Sequence, residues 1–194
     1  MIETKRLKLV EAREDELGIV VELENAPGIR EYIWNSTEEE HRGHLKAHDK
    51  LLLLFKTKTE EKIVGYCLIV LDFNSDIFEL KRIAMTERGK GYGKEAILAI
   101  REYAFENLNA NRFWLDVYPD NQVAINLYEK IGLVREGLLR QNFKTKYGYY
   151  DYVIFSMLRD EYEEYKKNHN LVLVDSEESE EDTGSEETGT QSLT

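Results

Sequence analysis

Arg88-Gly89-Lys90-Gly91-Tyr92-Gly93-Lys94 stands between an alternating apolar run, Ile77 to Met85, and a stretch of helical period, Tyr92 to Leu108. Closely spaced glycines let a backbone turn with its N–H groups pointing inward, and the following helix adds the positive end of its dipole. A strand-to-helix junction of this composition can therefore hold a phosphate or diphosphate. Arg88 and Lys90 would add charge-assisted contacts. The common phosphate motifs do not fit: Lys94 stands where the dinucleotide fingerprint needs its third Gly, and Glu95 is neither Ser nor Thr of a P-loop. Taken alone, the stretch is also compatible with a Gly-rich turn that does no more than join strand to helix.

Working outward from this junction, the fold takes shape. Upstream, Leu51 to Lys58, Lys62 to Phe73 and Ile77 to Met85 are apolar runs separated by Thr59-Glu60-Glu61 and Asn74-Ser75-Asp76, which reads as an antiparallel meander. Earlier still, Thr4 to Ala12 alternates like a half-buried strand. Glu14 to Asn25 has helical spacing and breaks at Asn25-Ala26-Pro27-Gly28. Thr37 and Glu40 fit a capping box, which starts a second short helix near residue 38. Downstream, Ile97, Ile100, Ala104 and Leu108 form one stripe of a long helix. A strand over Phe113 to Val117 follows, then a helix over Asn121 to Ile131 with Ala124, Leu127, Tyr128 and Ile131 on one face. Two strand-like segments near Leu133 to Phe143 and Tyr149 to Met157 complete the order, which predicts an α+β protein with one mixed sheet.

A second motif joins the first. In the stretch from Val117 to Leu133, the pattern Asn121-x-x-Ala124-x-x-x-Tyr128-x-x-x-Gly132 follows Arg88-x-x-Gly91-x-Gly93 in order and at a suitable distance. Together they resemble the two conserved blocks of the GNAT superfamily of N-acetyltransferases, in its polyamine and ribosomal-protein N-terminal acetyltransferase-like branch. With the element order, the resemblance covers residues 3 to about 160. It implies a mixed, mostly antiparallel central sheet with flanking helices. It also implies acetyl-coenzyme A as co-substrate, and acetyl transfer to a primary amine by direct attack in a ternary complex. The strand before the Gly-rich loop would pair with the pantetheine arm, which puts Ile83, Ala84 and Met85 beside the coenzyme. Backbone N–H groups of Arg88, Gly89, Lys90, Gly91, Tyr92, Gly93 and Lys94 would hold the diphosphate. Asn121 and Asn126 look like pantetheine or acetyl contacts, and Lys130 resembles a nucleotide-phosphate contact. The segment Met85-Thr86-Glu87 is about a residue shorter than usual in the family and lacks its frequent Pro.

The transfer needs a neutral amine and a proton for the departing thiolate, whose ordinary pKa values lie near 10.4 and 8.5. Tyr128 resembles the family's general acid, and Glu79 the carboxylate that removes the amine proton, often through water. Each has a plainer reading, Tyr128 as a core aromatic on its helix stripe and Glu79 as a salt-bridged surface carboxylate. Tyr32, Trp34 and Glu38 fall in the region that shapes the acceptor pocket in this family. A non-catalytic domain that senses acyl-coenzyme A is the alternative function.

Other residues carry less. His41, His44 and His48 share a helical face without an accompanying carboxylate pattern, so a solvated face is expected and no metal. Cys67 is expected to be packed mid-strand rather than to carry an acyl group. Tyr147, Tyr149, Tyr150 and Tyr152 are expected to pack the sheet.

With 194 residues, 42% hydrophobic, the chain suits one domain, placed at residues 1–168. Eight carboxylates without Lys or Arg between Asp175 and Thr194 supply two thirds of the formal charge of −12. Residues 169–194 are thus expected to form an acidic, disordered tail, with Leu171 to Val174 either a small docking strand or part of it. The remaining mild acidity is unlike a phosphate-backbone binder and excludes nucleic acid as the main partner. With no long apolar run, no leader and a single cysteine, a cytoplasmic protein without membrane partners is expected. A small-molecule or peptide amine is the expected partner, and a homodimer is left open.

Overall fold

The computed structural model describes residues 1–145 and 148–178. The chain divides into a unit over Met1–Arg159 and a second over Asp160–Thr194. The first unit is built on an eight-stranded sheet in the order β1-β2-β3-β4-β5-β6-β8-β7. The strands are β1 (Ile2–Glu3), β2 (Leu7–Glu11), β3 (Lys50–Thr57), β4 (Ile63–Asp72), β5 (Ile77–Met85), β6 (Arg112–Val117), β7 (Val134–Thr145) and β8 (Gly148–Leu158). All neighbours are antiparallel except β5 and β6. The parallel step is forced by the connection: a strand followed by a crossover helix returns in the same direction. The α+β class and the meander of β3, β4 and β5 are as the sequence predicts.

The helices of this unit are α1 (Leu17–Asn25), α2 (Glu38–Lys46), α3 (Tyr92–Glu102) and α4 (Gln122–Lys130). The capping box forms: Thr37 Oγ1 accepts from the backbone N–H of Glu40, whose carboxylate accepts from that of Thr37. The stretch expected as one helix from Tyr92 to Leu108 instead changes at Tyr103 into a wider π-helical turn, Tyr103–Asn107, where Leu108 N–H reaches Tyr103 O. One extra residue per turn keeps Ala104 and Phe105 buried at the end of the helix.

Strand alternation sorts the core into two layers. Leu52, Leu54, Tyr66, Leu68 and Ala84 share one face with Leu17, Val20 and Leu23 of α1. Phe55, Ile69, Phe78, Phe113 and Phe155 are buried on the other face, Phe78 opposite to Ala84 of the same strand because an extra residue at Lys81 reverses the alternation between them. There Tyr128 of α4 meets Phe155 with ring centroids 5.7 Å apart.

The second unit contains all but the first residue of α5, Arg159–Glu178. The helix expected to end near Asn168 thus continues to Glu178 and takes in the Leu171 to Val174 stretch. The rest of the expected tail, residues 179–194, lies outside the described residues. No helix among the described residues is long and apolar enough to cross a membrane.

Candidate active site

β5 and β6 run side by side for only three rungs, Ile77–Arg112, Phe78–Phe113 and Glu79–Trp114. Just beyond, the β4–β5 ladder skips Lys81: Ile69 pairs with Leu80 and Leu68 with Arg82. Such a bulge adds a residue to one strand and bends it. Beyond Glu79, β5 therefore follows β4 while β6 follows β8, and the edge of β5 over residues 80–85 has no strand partner among the described residues. Ile83, Ala84 and Met85 lie on this open edge. Thr86 keeps its end tied to β4, its N–H donating to Val64 O at 2.9 Å.

The open edge leads into the Gly-rich loop. Gly89 and Gly91 have φ values of 75° and 77°, a left-handed conformation that side-chain-bearing residues rarely adopt. Gly91 is the N-cap of α3, and no side chain caps it. The first-turn N–H groups of α3 thus keep their donors for an incoming acceptor. A residue the sequence reading missed holds the loop in place. Arg6, entering β2, pairs with Glu95 at 2.6 Å, donates to Lys90 O at 2.9 Å and lies 4.6 Å from the Tyr92 ring centroid. The cations near the loop are engaged as well: Lys90 pairs with Glu87 at 2.5 Å, and Arg88 donates to Gly28 O in the loop after α1. An uncapped helix N-terminus, two left-handed glycines and an unpaired strand edge fit a diphosphate carrying an amide-rich arm.

The second block folds around α4. Asn121 is its N-cap, Oδ1 accepting from Ala124 N–H at 3.2 Å, so its carbonyl oxygen serves the helix itself. Asn126 and Lys130 are exposed along α4. Tyr128 is 6% exposed, and burial, with the nearby Asp116 charge second, raises its phenol well above the ordinary value. It therefore keeps its proton at neutral pH. Glu79 is not free: Lys81 donates to it at 2.9 Å, two residues along the same strand. Asp116 was not singled out by any motif. It has no hydrogen bond or ion pair among the described residues, and its carboxyl is raised above the usual range by burial, against the pull of Lys81 and with the help of Glu79.

On the α1 side of the sheet an open cleft of about 1140 Å³ is bounded by the loop after α1, the turn after β6 and the β7–β8 hairpin. Its walls include Glu31, Trp34, Tyr118, Asp120, Tyr149 and Asp151. Trp34 is 51% exposed and rests edge-on against Phe143. Tyr32 stays outside the lining but meets Tyr118, and Glu38 begins α2 away from it. The expectation that the late tyrosines pack the sheet is corrected for Tyr149 and Tyr150, which line the cleft because β7 and β8 extend past the edge of β6. Tyr152 alone among the described ones turns inward, donating to Tyr118 at 3.3 Å; Tyr147 lies outside the described residues.

A buried polar cluster fixes the loop that forms one cleft wall. Glu24 of α1, fully buried, accepts from Tyr66 at 2.6 Å, from Ser36 N–H at 2.7 Å and from Arg82 at 3.1 Å. His41 Nε2 sits 3.3 Å from the same carboxylate, off the line of a hydrogen bond. Burial would raise the Glu24 carboxyl, but the contacts from His41, Tyr66 and Ser36 outweigh it and leave it below the usual range. His44, beside His41, is pushed down to about 4, by burial first and then by His41, Lys50 and Arg82. His48 instead stacks on Phe73. The face expected to be solvated is thus half buried, and among the described residues no three His, Cys, Asp or Glu side chains gather as a metal site. Cys67 is fully buried and its thiol is pushed up by that burial.

Comparison with known proteins agrees with this geometry. The model of the acetyltransferase (GNAT) family matches residues 13–133, more than half of the chain. The SPbeta prophage-derived uncharacterized N-acetyltransferase YokL of Bacillus subtilis is 42% identical over 76 residues, which is 39% of this chain and 43% of that protein. The chain thus spans less than half the length of this relative. The spermidine N(1)-acetyltransferase of Vibrio cholerae is 29% identical over 132 residues, 66% of this chain and 75% of its own. Among solved structures, a GNAT-family acetyltransferase from Bacillus anthracis superposes with a TM-score of 0.70 at 22% identity, over 82% of this chain and 98% of that one.

Proposed function

From the premise that the chain belongs to the acetyltransferase (GNAT) family, we propose that it transfers the acetyl group of acetyl-coenzyme A to a primary amine by direct attack in a ternary complex. The observation that carries this reading is the conjunction at the end of β5: an unpaired strand edge running straight into an uncapped, Gly-lined helix N-terminus. Main-chain groups of Ile83, Ala84 and Met85 would receive the pantetheine arm. Those of residues 88–94 would hold the diphosphate, with Arg88 and Lys90 nearby, Asn121 and Asn126 bordering the arm and Lys130 near the nucleotide end. When bound, the coenzyme supplies a thioester, an acyl group activated towards an amine. Tyr128, which keeps its proton, would donate it to the departing sulfur. Glu79, or a carboxylate near it, would receive the proton of the incoming amine. The lone, buried Cys67 supports a reducing compartment, the cytoplasm.

The acceptor enters from the cleft. Carboxylates of Asp120 and Asp151, beside an Arg30–Glu31 ion pair and among the rings of Trp34, Tyr118, Tyr149 and Tyr150, suit a cationic amine with an alkyl body, by charge attraction and by cation–π contact. The likeness to a spermidine acetyltransferase supports a polyamine or similar alkylamine. An amine library incubated with acetyl-coenzyme A, read by thiol release and by mass spectrometry of products, tests the reading. Acetylation of at least one primary alkylamine is expected. Coenzyme binding without turnover of any amine would contradict the reading and support an acyl-coenzyme A sensor.

A further inference from the structure

The gap between β5 and β6 holds two carboxylates, and they differ in what they face. By register, Glu79 pairs with Trp114, and Asp116 lies two residues further along β6 on the same face. One pleat beyond Asp116 stands Tyr118, which lines the cleft. Asp116 is therefore the next residue inward from the cleft wall, on the strand that has parted from β5. Glu79 is neutralised by Lys81 at 2.9 Å, whereas Asp116 has neither a hydrogen bond nor an ion pair among the described residues. The other charged and titratable groups around Asp116 are Tyr128 from α4 and Tyr152 from β8, whose hydroxyls both feel its charge, and Arg82 of β5, whose charge acts on Tyr152. With Lys81 paired to Glu79, Asp116 is the one of these two carboxylates without a hydrogen-bonded counter-ion among the described residues.

Building on the acetyltransferase reading, we propose that Asp116, not Glu79, is the carboxylate that receives the acceptor ammonium and takes its proton. The incoming R–NH3⁺ gives one proton to Asp116 and attacks as R–NH2. The new C–N bond replaces the C–S bond, the nitrogen loses a second proton, and the sulfur leaves with one from Tyr128. Tyr128 recovers its proton from the nitrogen, so one proton in total reaches solvent through Asp116. The raised carboxyl suits the role, because a stronger base accepts a proton more readily. Activity carried by the ionised form is present above that raised value and lost as pH falls through it.

The test uses the full chain with Asp116→Asn, Asp116→Glu and Glu79→Gln, assayed on an amine found active with wild type. Asp116→Asn is expected to lower kcat at least about 100-fold and to abolish the acid limb of the pH–rate profile, with coenzyme A affinity within about twofold and an undiminished melting temperature. Asp116→Glu should restore part of the rate, and Glu79→Gln should cost less than about tenfold. In coenzyme-free wild type, carboxyl-carbon NMR with added n-butylamine or spermidine should shift the Asp116 signal more than that of Glu79. Full turnover in Asp116→Asn, or loss of the acid limb in Glu79→Gln instead, overturns this proposal alone. A wild type that acetylates no amine overturns the acetyltransferase reading and this proposal with it.

Discussion

The guanidinium of Arg88 donates to the backbone carbonyl of Gly28. This single contact joins the loop that would grip the diphosphate to the loop that walls the open cleft, sixty residues away in sequence. Gly28 has φ of 79°, and a Cβ built on it would stand 2.5 Å from an Arg88 nitrogen. Gly28→Ala should therefore cost about 1–2 kcal/mol in stability, from the left-handed backbone together with displacement of Arg88. Thermal melting checks the cost, and a coenzyme A titration of the same variant checks whether the displaced Arg88 is missed.

Glu24 is the anchor beneath that wall. Removing it by Glu24→Ala leaves the buried Tyr66 hydroxyl without its acceptor and the partly buried Arg82 with only Ser36 Oγ, and stability should fall by about 3 kcal/mol. Because the folded Glu24 carboxyl lies below its unfolded value of about 4.3, its contribution is present above that pH and lost as pH falls through the lower folded value. Denaturant melts from pH 6 to pH 3 should show wild-type stability dropping through this acid window. Glu24→Ala should show a shallower drop.

Much of the frame was legible in the sequence because it rests on local rules. The capping box of Thr37 and Glu40, the breaks at Pro27 and around Ser75, and the period of Ile97 and Ile100 are each decided within a few residues. The Gly-rich junction was equally readable, since Gly89 and Gly91 adopt the left-handed conformation that only glycine takes without cost. What escaped depends on register. Asp116 is one alternating residue of an ordinary strand, and its place at the gap follows from the bulge at Lys81, which parts β5 from β6. Glu24 fits a helical stripe, but its partners come from β4, β5 and the loop before α2. Tyr149 and Tyr150 alternate like buried strand residues and prove exposed only because their hairpin overhangs β6.

Tyr128 offers a test of the proton donor. Its ring is packed against Phe155, so Tyr128→Phe removes one oxygen and leaves the packing intact. If the phenol supplies the proton to the departing sulfur, kcat should fall by about 100-fold, with coenzyme affinity unchanged. Steady-state kinetics alongside a coenzyme titration separates the two quantities.

Arg6 should matter to the coenzyme without touching the acceptor. Arg6→Ala removes the pair with Glu95, the bond to Lys90 O and the contact with Tyr92, which together hold the Gly-rich loop. The KM for acetyl-coenzyme A should rise several-fold, while that for the amine stays near wild type. A two-substrate kinetic analysis reads both.

The proposed grip of main-chain amides at residues 88–94 on the coenzyme is tested most directly by calorimetric titration with coenzyme A. Wild type should bind one coenzyme per chain, and Gly91→Ala, which forces a side chain into a left-handed N-cap, should bind about tenfold more weakly, equivalent to about 1.4 kcal/mol. A wild type that takes up no coenzyme, or a Gly91→Ala variant that binds it with undiminished affinity, would contradict the account.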